Sequence, residues 1–291
     1  MRTLIATTLL FLSPVTAGAE PPPLTSLFSK PGITNVKLSP DGSKIALRRL
    51  TGDDRYALQF MSLTDFKSVG SIDIDLQGGK NEVGNFWWAT NDRVVGEIMQ
   101  FERGSEFPVS YGELFASNSD GSNATILFGA RATAGLNVIL GEYLHRLPAE
   151  PNKILVRTEQ WRKKRNAIPE VHKLDIRNGK YRRAEVRGLA PATRFLTDNE
   201  GVVRLMLTDP DTGEFRVAFR PDEEWIELPP DAFGTSFWPA TVAGEDRAFY
   251  SLDRDGTDRW SLYRFSIDEM QQELVYQHDT VDISQVVAST D

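Results

Sequence analysis

The sequence has no cysteine. That excludes disulfides, thiolate zinc sites, thiol nucleophiles and redox pairs, and leaves core packing as the source of stability. It has three histidines, His145, His172 and His278, and no two stand at metal-ligand spacing. A nucleophile elbow of the Gly-x-Ser-x-Gly kind is also absent. Gly234-Thr235-Ser236 supplies the first half, but Trp238 occupies the place of the second glycine, where only a small residue permits the strained turn. No apolar run approaches the ~20 residues of a membrane-spanning helix. No segment sustains a 3.6-residue apolar period, and residues 142–146 alone could close one helical turn. Positive charge is short too. The formal net charge is −8, so nothing draws the chain to nucleic acid or anionic lipid. The one dense basic run, Arg162-Lys163-Lys164-Arg165 beside Trp161, reads as a solvated hairpin tip or an inter-domain contact.

The N-terminus is laid out for export. Arg2 gives the positive start, residues 4–15 form a short apolar run, and Ala17-Gly18-Ala19 places small residues where a signal peptidase reads. The expected cut follows Ala19, which sends the mature chain to a secreted or periplasmic location. Removing Arg2 takes the net charge from −8 to −9. Pro21, Pro22 and Pro23 then stiffen a leader over residues 20–30, and residues 31–291 form the folded domain.

That domain repeats one device: a short β-branched and aromatic run, a turn dipeptide, and another run. Val36-Lys37-Leu38 leads through Ser39-Pro40-Asp41-Gly42 into Lys44-Ile45-Ala46-Leu47. The device returns around Asp120-Gly121, Asn178-Gly179, Asn199-Glu200-Gly201 and Asp255-Gly256. Tight hairpins need positive φ at their central residues, which Asn-Gly and Asp-Gly adopt at low cost. In residues 260–265 the bulky apolar residues fall mainly on alternate positions, the period of a half-buried strand. Many short strands spaced by turns mean a sandwich, a barrel or a propeller. A unit that returns about every 40 to 50 residues favours four-stranded propeller blades. The six tryptophans, at 87, 88, 161, 225, 238 and 260, are spread along the units and read as core filling.

Few residues suggest chemistry. His172 lies among alternating strand residues, and His278 near a turn. Asp253, Asp255 and Asp258 flank Gly256, and Asp209, Asp211 and Glu214 flank Gly213, a faint likeness to calcium loops. The remaining ligand spacing and the distant glutamate are missing, so both read as aspartate-capped turns. Asn123-Ala124-Thr125 fits a glycosylation acceptor, relevant in a eukaryotic secretory pathway alone. No catalytic, cofactor or metal residue is assigned.

Taken in order, the motifs resemble the N-terminal propeller of the prolyl oligopeptidase family, in particular its exported bacterial acylaminoacyl-peptidase and dipeptidyl-peptidase-like branch. The carriers are Leu38-Ser39-Pro40-Asp41-Gly42 with Ile45-Ala46, Trp88 with Asn91-Asp92-Arg93-Val94-Val95, and Leu114-Phe115-Ala116 with Asp120-Gly121-Ser122. Further along they are Val171-His172-Lys173-Leu174-Asp175 with Asn178-Gly179, Phe219-Arg220 with Trp225 and Leu228, and Leu274-Val275-Tyr276 with Asp282-Ile283-Ser284. The resemblance implies an all-β, incomplete β-propeller of about five to six four-stranded blades from a ring of about seven. In that family the catalytic serine, aspartate and histidine lie in an α/β-hydrolase domain that follows the propeller, and this chain stops at Asp291. The resemblance therefore implies a non-catalytic lid from an exported serine peptidase, meeting peptide substrates together with the hydrolase domain. Unpaired strand edges of an open ring imply self-association. The alternatives are a free-standing TolB-like propeller that docks periplasmic proteins, and a lactonase-like propeller enzyme with its own metal.

Overall fold

A computed structural model describes residues 23–76, 80–132, 139–160, 167–189, 193–208, 215–233, 236–243 and 247–288. The expected signal segment, its cleavage point, the basic run at 161–165 and the acidic turn at 209–214 lie outside the described residues. The chain divides into two compact units, Met1–Gly32 and Ile33–Asp291. In the first, one helical turn, α1 (Leu24–Leu27), follows Pro23, whose carbonyl accepts the Ser26 amide at 2.8 Å.

The second unit is built from five antiparallel four-stranded sheets, each a run of consecutive strands. The first sheet holds β1 (Ile33–Leu38), β2 (Lys44–Leu50), β3 (Tyr56–Ser62) and β4 (Ser68–Ile72). The next holds β5 (Asn81–Trp88), β6 (Arg93–Phe101), β7 (Pro108–Asn118) and β8 (Thr125–Phe128). The third has β9 (Ile139–Arg146), β10 (Lys153–Gln160), β11 (Glu170–Asp175) and β12 (Val186–Arg187). The fourth has β13 (Arg194–Thr197), β14 (Val203–Leu207), β15 (Val217–Phe219) and β16 (Ile226–Leu228). The fifth has β17 (Trp238–Ala243), β18 (Ala248–Asp253), β19 (Ser261–Ser266) and β20 (Gln271–Tyr276). The first strands lie side by side, β1 against β5, β9 against β13 and β13 against β17, so the sheets radiate from their first strands. This is an incomplete β-propeller, with five blades among the described residues. Residues 142–146 belong to β9; their cross-strand partners on β10 decide the conformation that local sequence left open.

The turns explain the hairpins, with one correction. At Asp41-Gly42, Asp120-Gly121 and Asn178-Gly179 the glycine alone has positive φ, near 69°, 83° and 69°. Asp255-Gly256 is the pair with both residues at positive φ. The loops at 119–121 and 199–201 are three residues long, closed by Asn118 N–H to Ser122 O and by Asp198 N–H to Val202 O. Each ends on a glycine in the left-handed region, the G1-bulge solution that needs one such residue, not two. The aspartates act through their side chains: Asp41 accepts from the Ser43 amide at 3.0 Å and from the Ser39 hydroxyl at 2.7 Å.

Burial alternates along the strands, although in β19 the buried phase takes Ser261 with Tyr263 and Phe265 and leaves Leu262 half-buried. Along β19, residues 261, 263 and 265 are buried and residues 262, 264 and 266 are half-buried. The hydrophobic core is divided among the spaces between neighbouring sheets. Leu58 and Phe60 meet Phe86 and Trp88 between the first two sheets. Leu114 and Phe128 meet Ile154 and Leu174 between the second and third. Leu155 and Val171 meet Phe195 and Met206 between the third and fourth. Leu205 and Phe219 meet Phe249 and Phe265 between the fourth and fifth. Burying each such side chain contributes roughly 1.5–3 kcal/mol. The tryptophans divide differently from the core role expected of them. Trp88 is buried, Trp87, Trp225 and Trp260 are half-buried, Trp238 is 51% exposed, and Trp161 is outside the described residues.

Candidate functional site

The side chains that first drew attention are scattered by the fold. His145 and His172 share the third sheet but sit opposite Leu155 and Val156 of β10, consecutive residues that point to opposite faces. His145 packs on the turn at Gly201 of the fourth sheet, and burial pulls its pKa below the ordinary imidazole value. His278 follows β20, where its Nδ1 accepts the Thr280 amide at 3.2 Å. Ser236 precedes β17; Gly234 and Thr235 lie outside the described residues. Asp253 is fully buried and caps its turn, accepting from the amides of Arg254 at 2.7 Å and Asp255 at 3.3 Å.

A more coherent arrangement lies on the first strands, where β1, β5 and β9 approach. Phe86, Trp87 and Trp88 are consecutive in β5, and neighbours in a strand face opposite ways. Trp88 therefore enters the core of the first two sheets, edge-on to Phe60 at 5.7 Å. Trp87 turns to the other side and stacks on Tyr143 of β9, with ring centroids 4.4 Å apart and planes 14° from parallel. Lys37 of β1 completes the row. Its Nζ donates to the Phe86 carbonyl at 2.6 Å and stands 5.1 Å from the Trp87 ring centre, within cation–π range.

Charge surrounds this row. Burial pulls the Lys37 ammonium below its ordinary pKa, and Glu97 opposes that pull. Glu97 of β6 is pushed up, first by burial, while the Asn85 amide donating at 3.3 Å and the Lys37 charge hold it down. Glu142 of β9 adds to the upward push and lies 3.7 Å from the Arg157 guanidinium. Burial pushes the Tyr143 hydroxyl well above its ordinary value, so it remains a hydrogen-bond donor. Aromatic faces, two carboxylates and two cations on adjoining strands can hold an extended polar chain through stacking and charge-assisted hydrogen bonds. Sequence reasoning missed this row. The available signals were a lysine inside the alternating segment at 36–38 and two adjacent tryptophans, which a strand must separate.

A second polar region joins three sheets. A groove of about 800 Å³ is lined by Lys44, Asp92, Arg93, Asp120, Asn152 and Arg177, among others. Arg93 is buried at its base. Its Nη1 donates to Asn118 Oδ1 at 2.8 Å, and its Nε and Nη2 donate to the Ile176 carbonyl at 3.1 and 2.9 Å. Burial pulls its pKa down and Asp175 counters. Lys44 reaches Asp92 across the first two sheets at 2.8 Å.

Five radial sheets of four antiparallel strands define the class as a β-propeller. No family model matches the chain, and no curated protein matches it. Solved structures do. The chain is similar to the β-propeller domain of the Trilobed protease from Pyrococcus furiosus, described as having an open velcro topology. The identity is 11%, the TM-score 0.52, and 85% of this chain and 72% of that one are covered. It is similar to Porphyromonas gingivalis dipeptidyl peptidase 4 at 10% identity and TM-score 0.51, over 86% of this chain and 40% of the other. It is similar to prolyl oligopeptidase B from Galerina marginata at 13% identity and TM-score 0.52, over 85% and 35%. The chain spans between 39% and 53% of the first solved chains it matches. At such identities the likeness establishes the fold.

Proposed function

We propose that this chain is the propeller portion of an exported serine peptidase of the prolyl oligopeptidase family, acting as a lid that admits peptides to a hydrolase domain. The observation that carries the reading is the order of the family-like motifs on the blades. Residues 38–46 span the β1–β2 hairpin, 88–95 the β5–β6 hairpin, and 114–122 the end of β7 with its turn. Residues 171–179 cover β11 and its turn, 219–228 run from the end of β15 through β16, and 274–276 end β20. Each motif thus occupies a hairpin or strand in chain order, which shared composition alone does not produce. The row of Lys37, Trp87 and Tyr143 suits the lid role, because stacking and backbone hydrogen bonds accept an unfolded peptide irrespective of most of its side chains.

In this reading bond cleavage belongs to the hydrolase domain, and residues 1–19 direct export. Two measurements test it. Reading the gene on both sides of the coding segment should find an α/β-hydrolase region with Gly-x-Ser-x-Gly in the same frame; a stop codon directly after Asp291 sinks the reading. The isolated chain should take no label from a fluorophosphonate probe, which reacts with activated serines. Covalent labelling would place a nucleophile within these residues and refute the lid assignment.

A further inference from the structure

A cavity of about 370 Å³ opens on the face of the third sheet that looks towards the second. Glu170 and His172 of β11, Thr158 of β10, Arg187 of β12 and Tyr181 line it, with Ile139 and Ile168 as apolar walls. The volume falls in the range of small-molecule sites.

The hydrogen-bond chemistry inside it is unbalanced. His172 is 6% exposed, and its Nδ1 lies 2.9 Å from the Arg182 carbonyl oxygen. A carbonyl accepts and cannot donate, so the hydrogen on Nδ1 is committed there. Nε2 is left facing Glu170 Oε2 at 3.4 Å. A lone pair and a carboxylate oxygen repel at that distance unless a hydrogen donor serves both. A primary ammonium entering the cavity can serve, donating to Oε2 and to Nε2. Glu170 Oε1 is held loosely by Arg187 Nε, at 3.8 Å. The Arg187 side chain is 66% exposed, so its guanidinium is free to take a carboxylate from the solvent side. The Tyr181 ring, edge-on to His172 at 5.0 Å and near Phe128 at 5.5 Å, closes an apolar wall beside these charges.

A carboxylate beside an imidazole nitrogen, an arginine within reach, and an apolar wall together match the three parts of one molecule. We propose that this cavity binds a free α-amino acid with an apolar side chain, its ammonium on Glu170 and His172 and its carboxylate on Arg187. The cavity shares β9 with the row of Lys37, Trp87 and Tyr143 through Ile139, but the proposal does not depend on the peptidase reading, since it needs no hydrolase domain.

Saturation-transfer NMR on the whole chain tests this with L-valine, N-acetyl-L-valine and L-valinamide at millimolar concentration. L-valine should receive saturation. The acetylated and amidated compounds, each lacking one charge, should bind at least about ten-fold more weakly. Glu170→Gln and Arg187→Gln should each weaken L-valine by a similar factor. Both positions are solvent-accessible, and circular dichroism confirms that the variants fold. No transfer to L-valine from the wild-type chain, equal binding of N-acetyl-L-valine, or wild-type affinity in either variant overturns the proposal.

Discussion

The Arg93 guanidinium donates through Nη2 and Nε to the main-chain carbonyl of Ile176, at 2.9 and 3.1 Å, and so fastens the second sheet to the end of the third. Its remaining nitrogen holds Asn118 Oδ1, within its own sheet. Arg93→Ala would leave these acceptors without a charged donor in a buried setting. The expected loss is about 2–4 kcal/mol, read as a lower urea midpoint. Arg93→Lys should recover little, because one ammonium cannot reproduce the forked geometry. An Arg93→Ala chain as stable as the wild type would show that the clamp contributes nothing.

Two glycines with the same φ of 69° should behave differently. Gly42 has open space where a Cβ would stand, so Gly42→Ala should cost about 1–2 kcal/mol, the strain of the left-handed region alone. At Gly179 the same Cβ would meet the main-chain oxygen of Leu127 on β8, well inside van der Waals contact. Gly179→Ala should therefore cost about 3 kcal/mol or more. Thermal melts of the two variants side by side give the comparison, and equal losses would contradict the close approach of the sheets.

This pair shows what the sequence made legible. Strands, hairpin turns and the blade-like repeat could be read, because turn dipeptides and alternation are local. Gly42 and Gly179 look alike in that reading; the contact of Gly179 with Leu127 joins residues some fifty positions apart and leaves no local mark. The same holds for Arg93, a member of the motif at 88–95, which the fold buries against the Ile176 carbonyl of the third sheet. It holds again for Tyr143, whose partner Trp87 lies on another sheet. At 255–256 both residues take positive φ, in a turn closed by Thr257 N–H to Arg254 O inside the longer loop between β18 and β19, whereas single positive φ values elsewhere follow from loop length, which pairing across the hairpin decides.

Glu97 ties stability to pH. Burial, and then the like charge of Glu142, raise its pKa in the folded chain above the ordinary 4.5. The folded state thus holds this proton more tightly than the unfolded one. The resulting contribution is favourable below the unfolded value and is lost as pH rises through the raised folded value. Glu97→Gln removes the dependence while keeping an oxygen for the Asn85 amide. The variant should be more stable than the wild type at pH 7, and the difference should vanish below about pH 4. Urea midpoints across that range check it; a constant difference would exclude Glu97 as its source.

Export makes a sharp chemical expectation. If Ala17-Gly18-Ala19 is read by signal peptidase, the mature protein from the periplasmic fraction begins at Glu20. N-terminal sequencing decides the point. Ala17→Leu or Ala19→Leu should block processing and leave the longer chain on the membrane, because both positions must be small. An unprocessed, cytoplasmic chain would refute the assignment.

The outer sheets carry the last expectation. The bulge between Thr34 and Val36 puts Ile33, Val36 and Leu38 on the face of the first sheet that looks away from the second. All three are more than half exposed. In the fifth sheet the register aligns Trp238, Leu252, Leu262 and Tyr276 in one row, and Trp238 and Tyr276 are each about half exposed. Apolar rows of this kind fill the spaces between neighbouring sheets among the described residues, so two molecules can bury them by packing first sheet on fifth. Such a contact joins unlike surfaces and need not close, which favours open chains of molecules over a dimer. Light scattering on residues 20–291 should therefore show mass that grows with concentration. Val36→Glu with Leu38→Glu should reduce it to the monomer, since a charge on one partner surface is enough to prevent the joint. Monodisperse wild-type monomer at high concentration would mean that these faces are satisfied some other way.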